Sequence, residues 1–288
     1  MKGRLLIGGG LVVADASAAP RHADILVEDG RIVALTAPGA SGVDAAVPRL
    51  DATDRLVMPG LVNGHTHAHG GLGRGAVEDV ALEGFLAASP AINGQRGLDD
   101  LALSATLTGV ELLRKGCTAL FDMTTQFPLP TVDGLLAVAG AYDRIGIRAV
   151  VSPMMADRTL YQAYPELLAS LPEPLRAGAA ALKGASPADN LAAVDAAARD
   201  WPFDPARVRL GIAPTIPLHC SDDFMRGCAV LSETWDLPMQ THLAESKMQA
   251  VFGEQRYGKS LVAHLAEIGL LAVAGAYDRI GIRAVVSP

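Results

Sequence analysis

Pro59-Gly60-Leu61-Val62-Asn63-Gly64-His65-Thr66-His67-Ala68-His69 is a short apolar run that ends in alternating histidines. In an extended strand, side chains two apart point to the same side, so His65 and His67 can converge on one point. Neutral imidazoles are common ligands of zinc and similar ions, and a strand fixes two of them at little entropic cost. A solvated histidine-bearing loop is the plainer alternative.

The same run divides the chain. Residues 1–57 hold β-rich segments at Leu5–Val13, Asp24–Glu28 and Arg31–Leu35, which predict a small antiparallel sheet. Glu28-Asp29-Gly30-Arg31 reads as a hairpin turn, because Asp-Gly supplies the positive φ of a tight turn. Gly8-Gly9-Gly10 also reads as a turn, since Val13 stands where a dinucleotide-binding loop needs its third glycine. Beyond Val57, short apolar runs alternate with longer amphipathic ones. Strands are predicted at Leu56–Val62, Cys117–Asp122, Ile147–Ser152, Val208–Ala213 and Met239–Leu243. Helices are predicted at Leu101–Lys115, Leu135–Arg144, Arg176–Lys183, Asn190–Asp200, Asp222–Thr234 and Leu261–Ile268, the first with Leu103, Leu107, Val110 and Leu113 on one face. Repeated strand–helix units predict an α/β fold with a parallel sheet or a (β/α) barrel over residues 58–268.

The 288 residues are half hydrophobic and 19% charged, with a net charge of −7, as expected of a packed enzyme-sized chain. An acidic balance with no Lys/Arg block disfavours nucleic acid and anionic membranes as main partners. No apolar stretch approaches the ~18 residues of a membrane span, and the apolar run near Met1 is too short for a signal peptide. Cys117, Cys220 and Cys228 are odd in number and form no CxxC, which argues against a disulfide scaffold. A soluble cytoplasmic protein is the expectation.

A second chemical signal is Met239-Gln240-Thr241-His242-Leu243-Ala244-Glu245-Ser246. A histidine at the end of an apolar strand can supply a third ligand at the same mouth. Glu245, three residues on, can shuttle a proton between activated water and a leaving group. His264-Leu265-Ala266-Glu267 repeats the same spacing inside an amphipathic helix and reads as structural.

Residues 134–153, GLLAVAGAYDRIGIRAVVSP, recur letter for letter at 269–288. A single copy without drift is unlike a solenoid array. It points to a recent recombination or an error of sequence assembly or joining.

Together these segments resemble the metal-dependent amidohydrolase superfamily, in its chlorohydrolase/aminohydrolase branch of guanine, S-adenosylhomocysteine, 8-oxoguanine and triazine aminohydrolases. The resemblance rests on PGLVNGHTHAHGGLGRG (59–75), ELLRKGCTALFDM (111–123), IRAVVSPMMADRT (147–159), the strand containing Pro214–Ser221, and THLAES (241–246), and it extends to about Leu271. It implies a (β/α)8 TIM-type barrel with a small β-sandwich built from both chain ends, here incomplete. It also implies His65, His67 and His242 as ligands of a divalent metal, zinc or iron(II), with Glu245 as proton shuttle. His69, Arg74, Asp157 and His219 become candidate substrate contacts. The implied reaction is hydrolytic deamination of a small nitrogen heterocycle such as a purine, pterin or triazine.

The chain departs from that pattern towards its end. A full barrel takes ~250 residues, and the place of the sixth strand, with its histidine, is taken by the copied Ile282–Ser287. No aspartate follows Asp278 to serve as a later ligand. The sequence-level expectation is therefore an impaired or catalytically dead metal-binding fragment, whose open sheet edge favours oligomers. A rival from another class is a nucleotide triphosphatase, because GEQRYGKS (253–260) fits the P-loop pattern. No buried strand precedes that stretch directly. Cysteine-ligated deaminases are set aside, because neither HxE nor PCxxC occurs.

Overall fold

The computed structural model describes residues 3–270, apart from 16, 18 and 95. All of the copied segment beyond Leu270, including the strand expected at Ile282–Ser287 and Asp278, lies outside the described residues. The chain separates into two compact units, Met1–Leu61 and Val62–Pro288.

The first unit is a five-stranded sheet of β1 (Arg4–Val12), β2 (Arg21–Glu28), β3 (Arg31–Thr36), β4 (Arg49–Asp51) and β5 (Leu56–Val57). The β2–β3 hairpin turns at Asp29 and Gly30, with φ of 46° and 80°. Both are positive, as the Asp-Gly signal requires. The sheet is mixed rather than antiparallel. Residues 37–48 carry the chain back to the far edge, so β4 and β5 pair with β1 in parallel. Gly8-Gly9-Gly10 lies inside β1 at a bulge between Ile7 and Gly10, not in a turn. There Gly9 N–H donates to the buried Asp24 carboxylate at 2.9 Å.

The second unit is built on β6 (Leu61–Thr66), β7 (Cys117–Thr124), β8 (Arg148–Met155), β9 (Val208–Leu210) and β10 (Ala213–Pro214). Their order is β10–β8–β7–β6, with β9 also on β8, and the β7–β8, β8–β9 and β8–β10 pairings are parallel. The expected strand Leu56–Val62 is split into β5 and β6 by Met58-Pro59-Gly60, where proline offers no N–H to a ladder. The expected strand Met239–Leu243 is an extended segment joined by one isolated bridge, Ile212 to Met239. Pro238 removes a donor there, and the segment is tied instead by Gln240 N–H to Ile212 O and His242 N–H to Thr215 O.

Helices α1 (Leu82–Asn93), α2 (Leu98–Arg114), α3 (Val132–Ile145), α4 (Leu160–Ala163), α5 (Pro165–Ser170), α6 (Glu173–Ala181), α7 (Pro187–Arg199), α8 (Asp222–Trp235), α9 (Lys247–Tyr257) and α10 (Leu261–Glu267) surround this sheet. Thr131, Ser186, Ser221, Ser246 and Ser260 cap α3, α7, α8, α9 and α10 by accepting an N–H of the first turn. The core runs through Leu120, Tyr142, Val151, Leu210, Ile212 and Phe224.

On α2 most of the predicted leucine face is exposed, and of its four residues Leu113 packs against the core. Leu103, Leu107 and Val110 are 40–49% exposed, while Leu101, Ser104, Ala105, Thr108 and Gly109 are buried. The small residues win because α3 and a 3-10 turn at Ala68–Gly73 approach closely. A Cβ on Gly109 would stand 2.4 Å from Ile145, and one on Gly71 would stand 2.9 Å from Ser104 and Thr108.

Candidate metal centre

Three histidines meet at the C-terminal ends of the strands. His65 is the penultimate residue of β6, His67 leads into the 3-10 turn, and His242 closes the extended 238–242 segment. The turn is pinned at Ala68, whose N–H donates to Asp122 Oδ1 at 2.9 Å and whose carbonyl accepts Ser104 Oγ at 2.6 Å. His65, His67 and His242 each offer one ligand nitrogen, and these atoms lie within 4.8 Å of one another.

The hydrogen bonds fix which nitrogen each ring presents. His67 Nδ1 lies 3.0 Å from Met123 O, and His242 Nδ1 lies 2.7 Å from Thr215 O. A carbonyl only accepts, so both Nδ1 atoms carry the proton and both Nε2 atoms carry a lone pair. Yet these Nε2 atoms are 3.1 Å apart. Two lone pairs facing each other at that distance repel unless a cation lies between them. Tetrahedral zinc, with bonds of about 2.05 Å, would set its ligand nitrogens about 3.3 Å apart. The donor set and its spacing therefore fit a divalent metal.

Burial favours the neutral rings of His67 and His242, the form in which imidazole binds a metal. Burial pushes His67 down to about 4, with the Met123 carbonyl opposing and His242 and His65 adding to the shift. Burial likewise lowers His242, against the pull of the Thr215 carbonyl. Asp122, fully buried, moves the other way, to about 6, against the hydrogen bonds from Ala68 and Tyr142.

The remaining candidates are placed unequally. Glu245 is exposed three residues beyond His242, its N–H bonded to Gln249 Oε1 at 3.1 Å, and its charge acts on both His67 and Tyr164. The chain reaches it through Ala244, whose φ is 52°. His69 is buried with its ring 5.6 Å from that of His67, and burial holds it at about 3. His219 is buried edge-on to Tyr164 at 5.5 Å, its Nε2 has no hydrogen-bond partner, and burial holds it at about 4. Arg74 is exposed and ion-paired with Glu111 at 2.5 Å. Asp157 accepts both the N–H and the Oγ of Ser221, at 2.8 and 2.5 Å, next to the start of α8.

Sequence reading misses several groups that the fold gathers. Asp122 and Gln240 support the histidines, and Gln240 Oε1 lies 3.0 Å from His65 Nδ1. Glu83 is buried and accepts Ser246 Oγ, and the Tyr164 hydroxyl and Gln249 Nε2 are buried without partners. Their spacing along the chain carries no signal, because each comes from a different element.

The P-loop reading fails. Helix α9 extends through Tyr257, so Gly253–Arg256 is helical, and Gly253 packs on Leu261. Lys259 is ion-paired with Glu267. His264 bonds Asp222 at 2.9 Å, which agrees with a structural role. Among the described residues, no helix is long and apolar enough to cross a membrane.

Comparison with known proteins gives concordant matches. The amidohydrolase family pattern matches residues 56–274. A 5-methylthioadenosine/S-adenosylhomocysteine deaminase of Symbiobacterium thermophilum is 29% identical over 276 residues, covering 93% of this chain and 55% of that protein. An adenosine deaminase structure from Xanthomonas campestris with bound zinc superposes with a TM-score of 0.68 at 26% identity, covering 92% of this chain and 55% of the other. A triazine hydrolase from Arthobacter aurescens shares the fold, with a TM-score of 0.76 at 22% identity over 93% of this chain and 59% of the other. The chain spans about half the length of the relatives it matches.

Proposed function

Because the chain belongs to the amidohydrolase family, we propose that it carries the metal centre of a hydrolytic aminohydrolase acting on a small nitrogen heterocycle, a purine-type nucleoside foremost, with pterins and triazines as related ring systems. In this reading the parallel sheet is part of a (β/α)8 barrel, and the N-terminal sheet is part of a β-sandwich. The observation that carries the reading is the pair of facing Nε2 lone pairs on His67 and His242, 3.1 Å apart, with His65 beside them.

His65, His67 and His242 would hold the ion, zinc by analogy with the relatives. A divalent cation there supplies Lewis acidity and lowers the pKa of water towards ~7. The Glu245 carboxylate, whose charge acts on His67, would take a proton from water and return it to a ring nitrogen and then to the departing amine. His69, Arg74, Asp157 and His219 are the proposed substrate contacts. The neutral His219 presents an unpartnered nitrogen, whereas Arg74 and Asp157 would have to exchange Glu111 and Ser221 for the substrate.

The test combines metal analysis with ammonia release. Purified chain contains zinc or iron that falls sharply in the His65→Ala/His67→Ala double variant. Ammonia release from adenosine-type nucleosides is impaired or absent in this chain and appears when the C-terminal half of a family member replaces the copied segment after Leu271, above a Glu245→Gln blank of that graft. Equal metal content in chain and double variant, or equal ammonia in graft and blank, overturns the reading.

A further inference from the structure

His65 is the least supported of the three imidazoles. His67 and His242 give their Nδ1 protons to backbone carbonyls, which are fixed by the fold. His65 is exposed, and its strand β6 lies at one end of the described sheet order. Its Nδ1 meets a side chain instead, Gln240 Oε1, at 3.0 Å.

The other end of the same amide settles its orientation. Gln240 Nε2 lies 3.1 Å from Gly64 O, an acceptor, so the NH2 group must face Gly64 and the oxygen must face the imidazole. An amide oxygen cannot donate, so His65 Nδ1 carries the proton and Nε2 carries the lone pair. Gln240 thus grips both the ring of His65 and the backbone of the residue before it.

The grip also links two parts of the site. Gln240 stands two residues before His242 in an extended segment, so the two side chains share a face. The backbone of Gln240 is held by Ile212 O, next to β10, which lies at the opposite end of the described sheet order from β6. One side chain therefore spans from the segment that positions His242 to the strand that positions His65.

We propose that Gln240 is a positioning residue of the metal centre, which fixes the tautomer and ring plane of His65 and so sets the affinity of the three-histidine site for a divalent cation. The proposal rests on the metal-centre reading above. Partners that hold the second nitrogen of a metal-binding histidine typically contribute 10–100-fold to affinity. The Gln240 side chain contacts His65 and Gly64, and its effect on the site runs through them.

Three variants separate the contributions in the full chain. Gln240→Leu removes acceptor and donor at similar volume. Gln240→Asn keeps the chemistry but falls one methylene short. Gln240→Glu keeps an acceptor for His65 Nδ1 and loses the donor to Gly64. Side-chain 1H–15N correlation spectra of the metal-free chain should show His65 as the Nδ1–H tautomer in the parent and in Gln240→Glu, and as a mixture in the other two. Zinc affinity, measured by chelator competition, should fall 10–100-fold in Gln240→Leu and Gln240→Asn and stay close to the parent in Gln240→Glu. If Gln240→Leu does not fold, Gln240→Asn carries the comparison. An unchanged tautomer, or an unchanged affinity beside a lowered melting temperature, assigns Gln240 a merely structural role and overturns the proposal. A parent chain that binds no divalent metal overturns the metal-centre reading instead, and the tautomer spectra still report whether Gln240 governs His65.

Discussion

The phenol of Tyr142 on α3 donates to Asp122 Oδ2 on β7 at 2.7 Å, and neither group is exposed to solvent. The other oxygen of that carboxylate holds the N–H of Ala68, the residue after His67. A helix on the outside of the sheet is thereby tied, through one buried acid, to the turn that carries a proposed metal ligand. Replacing Tyr142 by Phe leaves a buried carboxylate short of a donor. The expected loss is about 1–3 kcal/mol of unfolding free energy, read from urea denaturation at neutral pH. A loss below 0.5 kcal/mol, well under the ~1 kcal/mol floor for a group left unsatisfied, would show that the bond is not made.

Asp122 also predicts a pH dependence. Its pKa is raised in the folded chain from 3.8 to about 6. Between those values the folded chain keeps a proton that the unfolded chain has released, so this group's contribution falls as pH rises from about 4 to about 6. Above that window the penalty is constant, on the order of 3 kcal/mol. The stability of Asp122→Asn relative to the parent should therefore climb from pH 4 to pH 6 and then level off. A difference that is flat across the window would place the carboxyl's titration elsewhere.

Metal should stabilise the fold through the facing lone pairs of His67 and His242. Free zinc at a hundred times its dissociation constant adds about 2.7 kcal/mol, visible as a raised melting temperature in calorimetry. In His67→Ala that shift should shrink to a small fraction. An equal shift in both proteins would mean that zinc binds elsewhere.

Ala244 sits at φ 52° between His242 and Glu245. A left-handed conformation costs a non-glycine residue roughly 1–2 kcal/mol, and the cap at Ser246 and the bond from Glu245 N–H to Gln249 hold it there. Ala244→Gly should raise stability by up to about 1 kcal/mol. A destabilised variant would show that the methyl group's packing outweighs the strain.

The paired histidines are legible in the sequence because a strand's period of two is short, and His65-Thr66-His67 displays it within three letters. The Asp29-Gly30 turn is legible for the same reason. The supports of the site are not. Asp122 lies within the apolar strand Leu120-Phe121-Asp122-Met123, and nothing in its neighbourhood says that Ala68 will be its partner. Gln240 meets Gly64 and His65 from 176 and 175 residues away. On α2, periodicity finds the leucine stripe, whereas the buried stripe is made mostly of small residues. Close approach by α3 selects the small one, a tertiary fact that hydrophobicity alone misses.

The 20-letter repeat shows where the instructions for a helix reside. Gly134 lies in the first turn of α3, where Thr131 Oγ1 accepts its N–H at 3.0 Å and Gln126 Oε1 in turn holds the N–H of Thr131 at 2.9 Å. Gly269, its copy, follows α10 with φ 87°, and Ala266 stands where the first copy has Thr131. The same first letter begins one helix and terminates another, because the cap lies upstream of the repeated string. A transplant of this helix–strand pair into a foreign protein would need to start at Gln126 to be self-sufficient. Cut at Gly134, it would take its opening conformation from its new host.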